Sequence, residues 1–340
     1  MTVSADPRGP VLISARTPEL PGTAVWSAGR ALPLQRWRDV LGPLADAGPS
    51  RIIDHWLEGA EALRALLTDP RTHALIAAEG QYVDLERLGP PVVPGQVFCT
   101  IGNYRAQLVE AAADAGDGPA GPGADGRRAA AAASAAERSR HGSPYISLTS
   151  RARVTGPRGT LPLPRGVRTL DWEVELAAVV GRRAWRVPPE RVLEHVAGWC
   201  VANDLTVRDS VFRADLPAMG TDWLACKGLP GTLPLGPFLV PAWQVGDPAR
   251  LRLQLRLNGR VMQDGAADDM VFDVARQLSW LSHQTPLEPG DVLCTGSPAG
   301  FGTHHGRMLQ PGDVFTAEID GLGTQQHTVV LEPEAAASAA

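Results

Sequence analysis

Cysteine is sparse and scattered in this 340-residue chain: Cys99, Cys200, Cys226 and Cys294 form no Cys-x-x-Cys pair. That argues against a zinc cluster or a disulfide framework and suits a reducing, cytoplasmic setting. Basic blocks are also missing. The net charge is −5, and no stretch could track a phosphate backbone, so no nucleic-acid partner is expected. No apolar run approaches the ~20 residues that cross a bilayer. The opening MTVSADPRGPVLISARTPEL has an early acid, prolines and no apolar core, so neither a signal peptide nor a membrane partner is expected. Internal repeats, phosphate-binding glycine loops and a regular βαβα rhythm are absent too. What remains is the composition of a soluble globular protein, 44% apolar and 20% charged, with room for one or two domains.

Residues 1–95 read as a small N-terminal α+β domain. Within RIIDHWLEGAEALRALLTD, 51–69, the residues Ile52, Ile53, Trp56, Leu57, Leu63, Leu66 and Leu67 fall at helical spacing, with Ser50 as N-cap. Prolines 90, 91 and 94 break the chain before the short apolar strand VFCTIGN. Residues 96–333 form the main domain, and 334–340 a disordered tail. Within it, 113–142 begin rich in Gly, Pro and Asp and continue as RRAAAAASAAERSR, helix-prone but without an apolar stripe beyond alanine. The segment is a flexible linker or a lid. From 143 onward strands dominate. Leu251, Leu253, Leu255 and Leu257 alternate with Arg252, Gln254 and Arg256, and Asn258-Gly259 reads as a hairpin turn. Val271, Val274, Leu278 and Leu281 share a helical face in 268–284, and 312–323 alternate again.

The most informative stretch is LDWEVELAAVVG, 170–181. On a strand, Asp171, Glu173 and Glu175 point one way and Trp172, Val174 and Leu176 the other. The row is either a solvated face of an edge strand or a buried row that a cation must compensate. AGWCVANDLTVRD, 197–209, tilts the balance, because a second apolar strand ends there at Asn203-Asp204. Three carboxylates with no Cys/His cluster nearby suit a hard ion, Mg²⁺, Mn²⁺ or Ca²⁺.

These pieces resemble the fumarylacetoacetate hydrolase family. The matches run in order through GNYRAQLVE (102–110), SPYISLTSRARVTGP (143–157), the two stretches above, TDWLACKGLPGTLPLGPFLVP (221–241), LNGRVMQDGAADDMVFDVARQLSWLS (257–282), LEPGDVLCTGSPAGFG (287–302) and LQPGDVFTAEIDGLG (309–323). The resemblance implies a β-rich α+β fold of layered, rolled mixed sheets, with short peripheral helices and a homodimer. It implies a divalent ion, Mg²⁺ first, on Glu173, Glu175 and Asp204, with Asp171 beside them but not ligating. Lys227 would contact the substrate or its developing oxyanion. The loop Thr295-Gly296-Ser297-Pro298 would hold a substrate carboxylate, with Tyr104 and Arg208 also at the substrate. The substrate would be a small 2-oxo acid or β-dicarbonyl compound that reacts through an enolate stabilised by the ion.

The family's hydrolases carry Asn-Tyr-x-x-His-x-x-Glu, in which the His activates water. Here Asn103, Tyr104 and Glu110 match, but Gln107 stands at the His, and Thr149 stands where the family often has lysine. An amide can position a water but cannot deprotonate it. Three readings stay open. Glu110 acts as the base with Gln107 orienting the water; or His141 supplies the proton function; or the enolate serves decarboxylation, isomerisation, dehydration or cyclisation, none of which needs activated water. The expectation stated first is C–C hydrolysis of the acylpyruvate or fumarylacetoacetate type, with catalytic Glu110, Lys227 and Gln107. The non-hydrolytic lyase or isomerase is its alternative, and a catalytically silent metal-binding module stands behind both.

Overall fold

The computed structural model describes residues 6–17, 20–48, 52–54, 56–115 and 123–333. It is α+β and strand-rich, with short helices on the outside. The leading region has its own five-stranded sheet, built on Val11–Arg16, Pro21–Ser27 and Arg30–Pro33. Its core is shared, however. Leu12, Val25, Leu44 and Leu63 pack in one cluster with Val97, Ala177 and Val179, and Leu12 exchanges backbone hydrogen bonds with Leu239.

The helix expected over 51–69 runs Trp56–Thr68, after a turn that includes Ile52 and Ile53. Ser50 lies outside the described residues. Leu57, assigned to the buried stripe, is exposed, because it stands 100° around the helix from Trp56. Asp69 ends this helix and caps the next, Pro70–Glu79, by accepting from the Arg71 N–H.

The central sheet has six strands, ordered Val240–Pro241, Val196–Asn203, Val174–Val180, Val292–Cys294, Val97–Ile101 and Tyr145–Thr149. Val174–Val180 is buried along its whole length, which explains its nearly unbroken apolar sequence. A second sheet contributes Leu253, Leu255, Phe315 and Ile319 to the core. Its hairpin turns at Asn258 and Gly259, both with positive φ (50° and 82°), as a tight primed turn requires.

Two expectations need correction. The helix within 268–284 begins only at Val274, where Asp273 caps it by accepting from the Arg276 N–H. Val271 therefore sits ahead of the helix and packs with Phe272 against Ala135. In 113–142, expected as a flexible linker or a lid, the helix-prone half forms a docked helix, Gly123–His141; residues 116–122 lie outside the described ones. Ala135 is its one buried residue, and the docking is largely polar. Arg127 donates to the carbonyls of Ala112 and Ala113, Arg138 to that of Gly102, and Ser139 to that of Val271. Such docking leaves no apolar stripe to read. Among the described residues no helix is long and apolar enough to cross a membrane.

Candidate metal and substrate site

The acidic row is buried, which removes the solvated-face reading: Asp171, Glu173, Glu175 and Asp204 are all under 10% exposed. Strand pairing brings the last three together. Val174–Val180 lies antiparallel to Val196–Asn203, with Val174 opposite Asn203. The Asp204 N–H then donates to the Glu173 carbonyl (2.9 Å), and Asn203 Oδ1 accepts from the Glu173 N–H (2.8 Å). One carboxylate oxygen from each of Glu173, Glu175 and Asp204 falls within 4.8 Å of the other two. Asp171 stands apart, accepting from the N–H groups of Trp172 and Gly302 and from Arg208 Nε.

Cations compensate this cluster. Lys227 is buried, and its Nζ donates to Asp204 Oδ2 (2.5 Å), Thr206 Oγ1 (2.7 Å) and Glu173 Oε2 (3.2 Å). Arg208 lies 2.8 Å from Glu173 Oε1 besides its bond to Asp171. The third cation is Arg153, fully buried, with Nη1 2.7 Å from Asp204 Oδ1 and further bonds to Leu205 O and Thr232 Oγ1. Burial alone would raise Asp204, but Lys227 and Arg153 outweigh it and hold this carboxyl well below the usual range. Burial likewise would lower Lys227, and Asp204 and Glu173 push it up instead. Glu175 differs, as does Asp171, which burial raises despite Arg208. Burial, then Asp204 and Glu173, push the Glu175 carboxyl well up.

The donor set fits a divalent ion. Four acids face three cations, and the uncompensated charge falls on Glu175. Asp204 Oδ1, though in ion-pair contact, has no well-directed hydrogen bond. All-carboxylate oxygen donors this close suit Mg²⁺, Mn²⁺ or Ca²⁺.

A cavity of about 180 Å³ opens beside the cluster. Its polar wall is Glu173, Lys227, Arg208, Ser297, Thr100 and Gln107. Of the other expected substrate contacts, several are structural. Thr295 is buried, bonding Leu176 O through both N–H and Oγ1. The Gly296 N–H holds Glu175 (2.7 Å). Ser297 reaches the cavity, with its Oγ accepting from Gln263. Tyr104 is fully buried and away from the cavity wall; its hydroxyl has no partner among the described residues.

The motif helix, Arg105–Asp114, divides its two key residues. Gln107 faces the cavity, and no side-chain hydrogen bond engages its amide among the described residues. Glu110 is turned elsewhere: its Oε1 accepts from the Gly300 N–H (2.7 Å), and its Oε2 lies 3.6 Å from His304, which also meets Asp114 (2.9 Å). Asn103 is a structural tie, joining Phe272 to Thr295. His141 is exposed and contacts Glu137, which removes the reading that gave it the proton function. Sequence reasoning missed Arg153, Trp223, Phe301 and His304. Arg153 left one trace: it lies four residues after Thr149, the position where the resemblance calls for a cation, and comes within 3.4 Å of that hydroxyl.

Comparisons with known proteins agree with this fold. A family profile described as "Fumarylacetoacetate (FAA) hydrolase C-terminal" matches residues 96–330. The chain is 34% identical over 189 residues to an uncharacterized protein of Pyrococcus abyssi, covering 56% of this chain and 80% of that one. It is 36% identical over 189 residues to the human mitochondrial oxaloacetate tautomerase FAHD2A, covering 55% and 59%. Among solved structures, it resembles fumarylacetoacetate hydrolase from Exiguobacterium antarcticum (TM-score 0.64, 26% identity, 95% and 99% covered). It also resembles fumarylpyruvate hydrolase from Pseudomonas aeruginosa in complex with Mn²⁺ and pyruvate (TM-score 0.55, 28% identity, 73% and 93% covered).

Proposed function

The chain is an enzyme of the fumarylacetoacetate hydrolase family, and we propose that it isomerises or tautomerises a 2-oxo acid or β-dicarbonyl compound without hydrolysis. Glu173, Glu175 and Asp204 would hold the divalent ion, Mg²⁺ or Mn²⁺. When bound, that ion supplies Lewis-acid polarisation of a carbonyl oxygen. Lys227, on the cavity wall beside the cluster, offers positive charge to an oxyanion as it develops. Gln107 offers an amide donor and acceptor to orient the substrate. Ser297 and Arg208 border the same space.

One observation carries the non-hydrolytic choice. The motif residue that faces the cavity is Gln107, which has no titratable nitrogen, while Glu110 is held away by the Gly300 N–H. Apart from Glu173, which would hold the ion, no carboxylate or histidine among the described residues lines the cavity to deprotonate a water. A hydrolytic reading has one point in its favour, the His304–Glu110 contact, but it needs Glu110 to leave Gly300 and turn inward.

The test is proton exchange at the carbon next to the keto group. With Mg²⁺ in deuterated water, the protein is expected to speed loss of the C3–H signal of a 2-oxo acid, followed by proton NMR, without cleaving it. Exchange no faster than with Mg²⁺ alone would overturn the proposal.

The four buried, unpaired cysteines support a cytoplasmic setting. A homodimer is supported by exposed Tyr145 and Leu148 on an edge strand, with exposed Phe212, Met219 and Leu224. Leu224→Glu should then lower the mass seen by light scattering to that of one chain; an unchanged mass would rule this face out.

A further inference from the structure

Most of the remaining lining is apolar. It is formed by Ile101, Leu108, Val211, Trp223 and Phe301, none of them fully buried. Trp223 presents only its ring there, because its indole N–H donates to the Tyr145 hydroxyl (2.9 Å). Phe301 is fixed beneath the Arg208 guanidinium, 4.5 Å from the ring centre.

Among the described residues, two cations line the cavity, Arg208 and Lys227. Both stand at the carboxylate cluster and are matched by it. They can serve a substrate's 2-oxo acid head. Beyond these two, no cation among the described residues lines the cavity to receive a second charge, and Arg208, stacked on Phe301, is already matched by Asp171 and Glu173. A second carboxylate placed there would lose its hydration with no partner in return. An apolar tail would cover side chains that water now touches.

We infer that the acid taken by this cavity ends in an apolar tail and not in a second carboxylate, with Trp223 and Val211 setting that preference. The inference rests on the 2-oxo acid reading of the same site.

The matched probes are 2-oxohexanoate and 2-oxoadipate, equal in chain length and differing in a terminal methyl or carboxylate. Calorimetry on the Mg²⁺-loaded protein should find 2-oxohexanoate bound ~10-fold or more tightly. Trp223→Ala should shrink that ratio, and Val211→Arg, which puts a cation on the apolar wall, should reverse it. A wild-type ratio of one or below, or a ratio that neither variant moves, would overturn the inference. Binding is read apart from turnover. A preserved ratio without C3–H exchange would count against the proposed reaction and leave the tail preference standing.

Discussion

Two regions meet at the cavity, and they keep the family's pattern to different degrees. The strand region, 170–207 with Lys227, carries the whole acid set, each member buried and tied to a cation or a backbone N–H. The helix-and-loop region, 103–110 with 295–301, keeps its scaffold: Asn103 joins Phe272 to Thr295, and Glu110 holds Gly300. What it lacks is the titratable side chain at 107. On the proposed reading, the contrast separates ion-binding chemistry, which the strands would carry, from water activation, which the helix would lack.

If the strand region is as tightly coupled as its geometry shows, its variants should have the largest effects. Arg153→Met removes one of the two cations that hold the buried Asp204 carboxylate, leaving Lys227 alone to match it. Such a break costs about 3–5 kcal/mol, to be read by urea denaturation of metal-free protein; a loss below ~1 kcal/mol would show that Asp204 does not need the guanidinium. Glu175→Gln should weaken Mg²⁺ binding by at least the ~100-fold that losing an outer-sphere partner can cost, with the circular dichroism spectrum unchanged. Unchanged Mg²⁺ affinity by calorimetry would contradict the ligand assignment.

A smaller effect concerns pH. Burial, then Asp204 and Glu173, raise the Glu175 carboxyl in the folded chain, while the unfolded value is ~4.3. Between the two, the unfolded chain is ionised and the folded one protonated, so stability falls as pH rises through that window, by at most ~1.4 kcal/mol per unit. Asp171, raised mainly by burial, acts in the same direction. Asp204, held low by Lys227 and Arg153 against its burial, acts oppositely but only below its unfolded ~3.9. His327, pushed down to about 4 by burial, acts oppositely across the same window, so the effect is read as a difference: relative to wild type, metal-free Glu175→Gln should gain melting temperature at pH 7 against pH 5. A pH slope that Glu175→Gln leaves unchanged would remove the charge excess from Glu175.

The smallest effect belongs to the helix region. His304 is about 40% exposed, so His304→Ala should cost only ~0.2–1 kcal/mol by the same urea titration. A loss well beyond that would make the Glu110 contact part of the core scaffold.

Period-two spacing pointed to Glu173 and Glu175, and a strand ending in Asn203-Asp204 to Asp204, because the pairing of Val174–Val180 with Val196–Asn203 turns spacing into adjacency; the single strand expected through Asp171 is broken at 172–173, and Asp171 lies on a separate short strand, Leu170–Asp171. The Asn258-Gly259 hairpin was readable for the same local reason. Arg153, Trp223 and Phe301 were not, since each reaches the site from a loop or short helix whose direction only the tertiary fold sets. Helix Gly123–His141 hid its docking in backbone carbonyls, which carry no sequence signal. Tyr104 and Thr295 were read as substrate contacts; both are fully buried and neither lines the cavity, Thr295 being held by bonds to Leu176 O.

The central claim is that water activation ended at position 107. It is tested by turnover of a 2,4-dioxo acid in ¹⁸O-labelled water with Mg²⁺, comparing wild type with Gln107→His. The label to follow is the one that C–C hydrolysis puts into the released carboxylate. The prediction is no labelled carboxylate from wild type while the enol form equilibrates, and labelled product only from the histidine variant, where a placed base contributes ~10²–10⁴-fold. Stoichiometric label from the wild-type protein would contradict it and return the role of base to Glu110.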